Sequence, residues 1–161
     1  MGNLITRVFR SPDHRDHPIL LPPLPPFLCV SKVSVERSKM SYSERVLDHF
    51  EHPRNVGELS SPDAEARLEH PVCGDIMSLA VKMADGRIDQ VRYRTRGCVA
   101  SIAAGSCLTE LIRGKSLAEA SALEREHLLE ALGGLPNASV HATHLAIDVL
   151  ALLLKKLKSS N

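Results

Sequence analysis

Pro71-Val72-Cys73-Gly74-Asp75-Ile76-Met77 runs directly into Ser78-Leu79-Ala80-Val81-Lys82-Met83-Ala84, and Asp85-Gly86 follows. The second segment alternates: Met77, Leu79, Val81 and Met83 fall on one side, Ser78, Ala80 and Lys82 on the other. That period of two predicts a half-buried strand over 76–84. Asp-Gly is a strong hairpin signal, because the favoured two-residue turn needs positive φ at its centre. The chain then returns over 88–95, with Val91, Tyr93 and Thr95 on one face and Arg92, Arg94 and Arg96 on the other. The arginine row is either a solvated face or a docking surface. An antiparallel hairpin is therefore the nucleus of the fold, and a cysteine and an aspartate stand at its entrance. The glycine between them permits backbone angles that other residues resist, so a thiolate and a carboxylate can be aimed at one point. That pairing suits a soft metal.

Outward from the hairpin the patterning becomes helical. Residues 41–51 (SYSERVLDHFE) form a short amphipathic helix capped by Ser43, with Val46, Leu47 and Phe50 as its apolar stripe. Pro53 ends it, Asn55-Val56-Gly57 turns the chain, and 64–70 is an edge strand. After the hairpin, Gly97-Cys98 leads into a small-residue helix over 99–113, which Gly114 stops. Ser116-Leu117-Ala118-Glu119 is a capping box opening a short helix. A further helix covers 123–132 and stops at Gly133-Gly134; a last one covers 139–158. Val140, Leu145, Val149, Leu152 and Leu153 line the buried side of that last helix, and Lys155, Lys156 and Lys158 suit its C-terminal dipole. The expected architecture is α+β, a small antiparallel β-sheet with helices packed on one face.

Composition narrows the class. The chain has 161 residues, of which 43% are hydrophobic and only 3% aromatic, so its core is aliphatic. Twenty basic residues against nineteen acidic ones leave a net charge of +1, which gives no electrostatic case for nucleic acid as a partner. No uninterrupted apolar run reaches the ~18–20 residues of a membrane span. Four cysteines, at 29, 73, 98 and 107, are too sparse for a disulfide scaffold. With no clean secretory signal, they indicate a reducing, cytoplasmic compartment. Residues 1–39 are unlike the rest. Leu20-Leu21-Pro22-Pro23-Leu24-Pro25-Pro26 favours extended polyproline geometry. This segment is expected to be a disordered extension, or sequence upstream of a true start at Met40. Met1-Gly2-Asn3-Leu4-Ile5-Thr6 also fits a loose myristoylation pattern, and Arg7 and Arg10 suit a transit peptide that Asp13 and Asp16 argue against.

Four residues stand at junctions between loops and regular elements: Cys73, Asp75, Cys98 and His141. Cys98 begins a helix, where the dipole favours thiolate over thiol. Together they compose two sulfurs, an oxygen and a nitrogen, a set suited to zinc or to an exposed iron–sulfur cluster. Three of them have a plainer reading: Cys73 as a small buried hydrophobe, Asp75 as a turn residue, His141 as a solvated helix start. Cys107 lies about 180° round the helix from Cys98 and ~13 Å along it, and belongs to the core. A Cys98–His141 pair also permits a thiol enzyme, though no acidic or amide group is evident to orient the histidine.

From Met40 onward the chain resembles the U-type iron–sulfur cluster scaffolds, IscU and the N-terminal domain of NifU. The matching stretches are Tyr42-Ser43-Glu44-Arg45-Val46, His52-Pro53-Arg54-Asn55-Val56-Gly57, Pro71 to Met77, Thr95-Arg96-Gly97-Cys98, Thr109-Glu110, Gly114-Lys115-Ser116-Leu117 and Val140-His141. The resemblance implies a non-enzymatic scaffold on which a labile [2Fe–2S] cluster is built from iron and passed to apo acceptor proteins, with a cysteine desulfurase as sulfur donor. It implies that Cys73 and Cys98 bind cluster or zinc, that Asp75 keeps the cluster labile, and that His141 borders the site. Two departures stand out. The family places a third cysteine, its usual persulfide acceptor, directly after the histidine; here that residue is Ala142. The family's chaperone-recognition segment Leu-Pro-Pro-Val-Lys is here Leu135-Pro136-Asn137-Ala138-Ser139, which puts Hsp70 docking in doubt. His144, about 60° round the helix from His141, is a candidate replacement ligand. The alternative function is a divergent zinc- or iron-binding member that has lost sulfur acceptance and regulates or stores metal for the assembly machinery.

Overall fold

The computed structural model describes residues 42–159, and the expectations for residues 1–39 lie outside them. The hairpin forms as its alternation dictates. Strand β1 (Ala64–Glu69), strand β2 (Ile76–Ala84) and strand β3 (Arg87–Arg96) make one antiparallel sheet in the order β1-β2-β3. Leu79 sits opposite Ala66 on one side and Tyr93 on the other, and Val81 opposite Ala64 and Val91, so the apolar positions share one face. Met77, Leu79, Val81, Val91 and Tyr93 are all buried. The pairing contains one irregularity that the sequence pattern does not announce. Lys82 pairs with Gln90 and Met83 with Ile88, which leaves Asp89 as the extra residue of a bulge. The bulge turns Ile88 into the core, while Met83, expected on the buried face, is only half-buried.

Helix α2 (Val99–Ile112) follows β3 after only Gly97 and Cys98 and lies across the core face of the sheet. Its alanines and Gly105 allow a close approach: a Cβ on Gly105 would meet the Tyr93 ring at 2.5 Å and Met77 Cε at 3.2 Å. Tyr93 is held there by its own hydroxyl, which donates to the Ile102 carbonyl at 3.0 Å. Helix α5 (His141–Ser159) packs beside α2 against β1 and β2, burying Leu145, Val149, Leu150, Leu153 and Leu157. Between them come α3 (Leu117–Ser121), opened by the expected capping box, and α4 (Arg125–Ala131), two residues shorter at its start than the pattern suggests. All the helices that touch the sheet lie on its one apolar face, which is the α+β arrangement expected.

Two expectations need correction. Helix α1 (Glu44–Glu51) starts at Ser43, whose hydroxyl accepts from Val46 N at 3.2 Å, but its buried side is Val46 and His49. Leu47 and Phe50 are 41% and 38% exposed. The reason is polar: His49 Nδ1 lies 2.9 Å from the buried Ser106 hydroxyl of α2, and with His49 turned inward Val46 stays buried while Leu47 and Phe50 face outward. Burial, and then the Arg54 charge, push the His49 imidazole below its ordinary value. Second, α5 with its preceding turn, Asn137–Ser159, does have the length and apolarity of a membrane span, with mean hydropathy 1.3. Here it is a core helix, packed on β1, β2, α2, α3 and α4.

Because the Gly105 contact is with a buried ring, Gly105→Ala should destabilise the fold. Alanine recovers roughly 1 kcal/mol of helix propensity, but overpacking of this kind costs about 1–3 kcal/mol. Urea unfolding is expected to show a lowered midpoint; a midpoint at or above the parent's would show that the α2–sheet contact is looser than described.

Candidate metal centre

The loop joining β1 to β2 is a closed turn. His70 N donates to the Asp75 carbonyl at 2.8 Å and Gly74 N to the His70 carbonyl at 2.9 Å. Gly74 holds φ +70°, the left-handed geometry that lets the chain reverse between Cys73 and Asp75. Cys73 is left exposed at the tip. Asp75 turns inward and is buried. Its carboxylate lies against the Cα of Gly97, where a Cβ would stand 2.6 Å from Asp75 Cγ, so position 97 has no room for a side chain. Gly97 thus matters for space rather than for a turn.

From there Asp75 Oδ2 accepts from Ser101 Oγ at 2.5 Å and from Cys98 N at 3.4 Å. Cys98 is the N-cap of α2, so the carboxylate also meets the positive end of the helix dipole. Burial raises the Asp75 carboxyl, but the hydrogen bonds from Ser101, from the Cys98 side chain and backbone and from Cys73 outweigh it, and the group ends below its ordinary value. It is therefore ionised at neutral pH.

The third element is α5. Its first residue, His141, brings Nε2 to 3.8 Å from Asp75 Oδ2. One donor atom from each of Cys73, Asp75 and His141 lies within 4.8 Å of the others. His141 Nε2 is buried and has no hydrogen-bond partner, which is costly unless something binds it. An anionic oxygen, a sulfur and an orphaned imidazole nitrogen converging on one point is a donor set that fits a metal ion or an iron–sulfur cluster. Asp75 is also the acidic neighbour of His141 that the sequence did not reveal.

The remaining predicted residues divide. Cys98 is half-buried beside this group, its Sγ 3.5 Å from Ser101 Oγ. Cys107 is buried in the core, and burial pushes its thiol up to about 11. Ala142 is completely buried in the first turn of α5. His144 does not turn toward the centre: its Nε2 lies 2.9 Å from Arg125 Nη1 of α4, on the exposed side of α5. Three residues at or beside the centre were not anticipated: Gly97 and Ser101 as supports of Asp75, and His70, whose Nδ1 lies 3.3 Å from Cys73 Sγ. The His70-x-x-Cys73 spacing was the available signal for the last.

The profile of the NifU-like N terminal domain matches residues 41–161. The chain belongs to this family. Its NifU-like relatives include the iron-sulfur cluster assembly scaffold protein IscU 1 of Archaeoglobus fulgidus, 44% identical over 109 residues, covering 68% of this chain and 71% of that protein. The IscU scaffold of Escherichia coli K12 is 40% identical over 124 residues, covering 74% of this chain and 96% of its own length. Among solved structures, a nitrogen-fixing NifU-like protein (N-terminal) from Brucella abortus superposes with a TM-score of 0.61 at 20% identity, covering 74% of this chain and 95% of that one. That likeness confirms the NifU-N fold.

The cysteines should separate by reactivity. At neutral pH, iodoacetamide followed by peptide mapping is expected to label exposed Cys73 and spare Cys107. The Cys107 thiol is raised from 9.0 in the unfolded chain to about 11, so its contribution to stability is complete below pH 9 and is lost as pH rises through about 11. Labelling of Cys107 in the folded chain at neutral pH would contradict its placement.

Proposed function

We propose that this chain is an iron–sulfur cluster assembly scaffold: it receives iron and sulfur at the Cys73–Asp75–His141 centre, with Cys98 at its edge, and passes the product to apo acceptor proteins. The observation that carries this reading is the orphaned, buried Nε2 of His141, facing the ionised Asp75 and the Cys73 thiol. The curated relatives named as IscU scaffolds support it.

The residues divide the work. Cys73 stands at an exposed loop tip and can meet a sulfur donor, which we take to be a cysteine desulfurase. Ala142 carries no sulfur and is buried, so it takes no part in sulfur acceptance, and that role passes to Cys73 or Cys98. Asp75 supplies a hard oxygen donor in a set otherwise suited to soft ions. A carboxylate holds an iron–sulfur cargo less firmly than a thiolate does, and a scaffold must release what it holds. The cargo is a labile [2Fe–2S] cluster, and the same donors accept zinc when no cluster is present. Nothing in this role requires turnover of a substrate at a nucleophile, so the chain acts as a carrier rather than as an enzyme, in a reducing cytoplasmic setting. The turn at Leu135-Pro136-Asn137 departs from the family's chaperone segment, so Hsp70 assistance is not part of this reading.

The full-length chain, reconstituted anaerobically with ferrous iron, sulfide and reductant, should develop visible charge-transfer bands and transfer its cluster to an apo-ferredoxin. Asp75→Ala should lengthen the lifetime of the bound cluster and slow transfer. Tight zinc binding without cluster bands would sink the scaffold reading. A shorter-lived cluster in Asp75→Ala would sink the role given to the carboxylate.

A further inference from the structure

The scaffold centre is one thiol short at Ala142, and the fold brings a second imidazole to its edge. His70 directly follows β1 and closes the 70–75 turn through its backbone. Its side chain folds over that turn: Nδ1 is 3.3 Å from Cys73 Sγ and 3.4 Å from Cys73 N. Its ring centroid is 5.4 Å from that of His141, tilted by 44°. The His70 side chain therefore neighbours both the exposed thiol and the ring of the histidine whose Nε2 has no hydrogen-bond partner.

We propose that His70 is a metal ligand, binding through Nδ1 and supplying the donor that position 142 lacks. The distances support ligation. Zinc–sulfur and zinc–nitrogen bonds of about 2.3 and 2.0 Å at a tetrahedral angle place sulfur and nitrogen roughly 3.5 Å apart, close to the 3.3 Å seen for His70 and Cys73. Cys73 must lose its proton to bind metal. An imidazole lone pair beside a bare thiolate is unfavourable unless a cation lies between them, so metal binding turns the present thiol–imidazole contact into shared ligation. His70, Cys73, Asp75 and His141 then make four donors, with Cys98 adjacent. Replacing a thiolate by a neutral imidazole leaves the centre less negative, which raises the reduction potential of a bound cluster, as histidine ligation does in Rieske centres.

This inference rests on the scaffold reading for its cargo but not for the ligand itself, so it is tested first with zinc alone on the full-length chain. Zinc-edge X-ray absorption should show two imidazoles in the parent and one in both His70→Ala and His70→Gln. Chelator competition should show zinc affinity falling about tenfold or more in both variants, with His70→Cys retaining it. One imidazole in the parent, unchanged affinity in the variants, or no zinc binding at all would overturn the assignment. Two imidazoles on zinc without cluster formation would uphold His70 and fail the scaffold reading. A reduced cluster with coupling to one nitrogen would do the reverse.

Discussion

The centre depends on the burial of one ionised carboxylate. Asp75 sits where β2 begins, yet its hydrogen-bond partners, Ser101 and the Cys98 backbone, belong to α2, and the surface it presses on is the Cα of Gly97. A buried carboxylate is tolerable only when its lone pairs are used. Satisfying them fastens the loop before the hairpin to the junction after it. The first residue of α5 then closes the third side. Three segments far apart in the chain are thereby held around one point, and each brings a group able to bind a soft metal.

That arrangement also accounts for the contrast between rigid support and exposed chemistry. Asp75, Ser101 and Ala142 are buried, and α2 behind them is packed against Tyr93 too closely to admit a methyl group at Gly105. Cys73 and His70, by contrast, ride on a short loop whose tip is open to solvent. A carrier needs both: donors fixed closely enough to bind, and a face open enough to load and unload. The arginine row on β3 lies on the opposite side of the sheet, where Arg94 pairs with Glu58 and Arg92 reaches Asn55 Oδ1 at 3.4 Å. Those contacts serve the loop before β1 rather than the centre.

Much of this was legible in the sequence, for physical reasons that differ by element. Strands β2 and β3 declared themselves because each has one buried face, which forces alternation, and because Asp85-Gly86 fits a tight turn. The bulge at Asp89 was hidden, since it follows from pairing with β2 and not from the residues of β3. Helix α1 was placed correctly but turned the wrong way: hydrophobicity favoured Leu47 and Phe50, and a buried histidine–serine hydrogen bond overrode it. At the centre, Cys73, Asp75, Cys98 and His141 stood out by residue type and position. His70 did not, because its only signal, the three-residue spacing to Cys73, gains meaning once the turn folds the imidazole over the thiol. His144 looked equivalent to His141 on a helical wheel, but α4 supplies Arg125 on that side.

The central claim is that Cys73, Asp75 and His141 form a metal-binding centre whose natural load is iron and sulfur. The most direct measurement is the iron, sulfide and zinc content of the full-length chain purified anaerobically without added metal, beside a Cys73→Ser variant. Stoichiometric iron with sulfide in the parent, and its loss in the variant, is the predicted result; zinc alone in its place would contradict the iron–sulfur load. A metal-free parent, or metal retained undiminished in Cys73→Ser, would contradict the account.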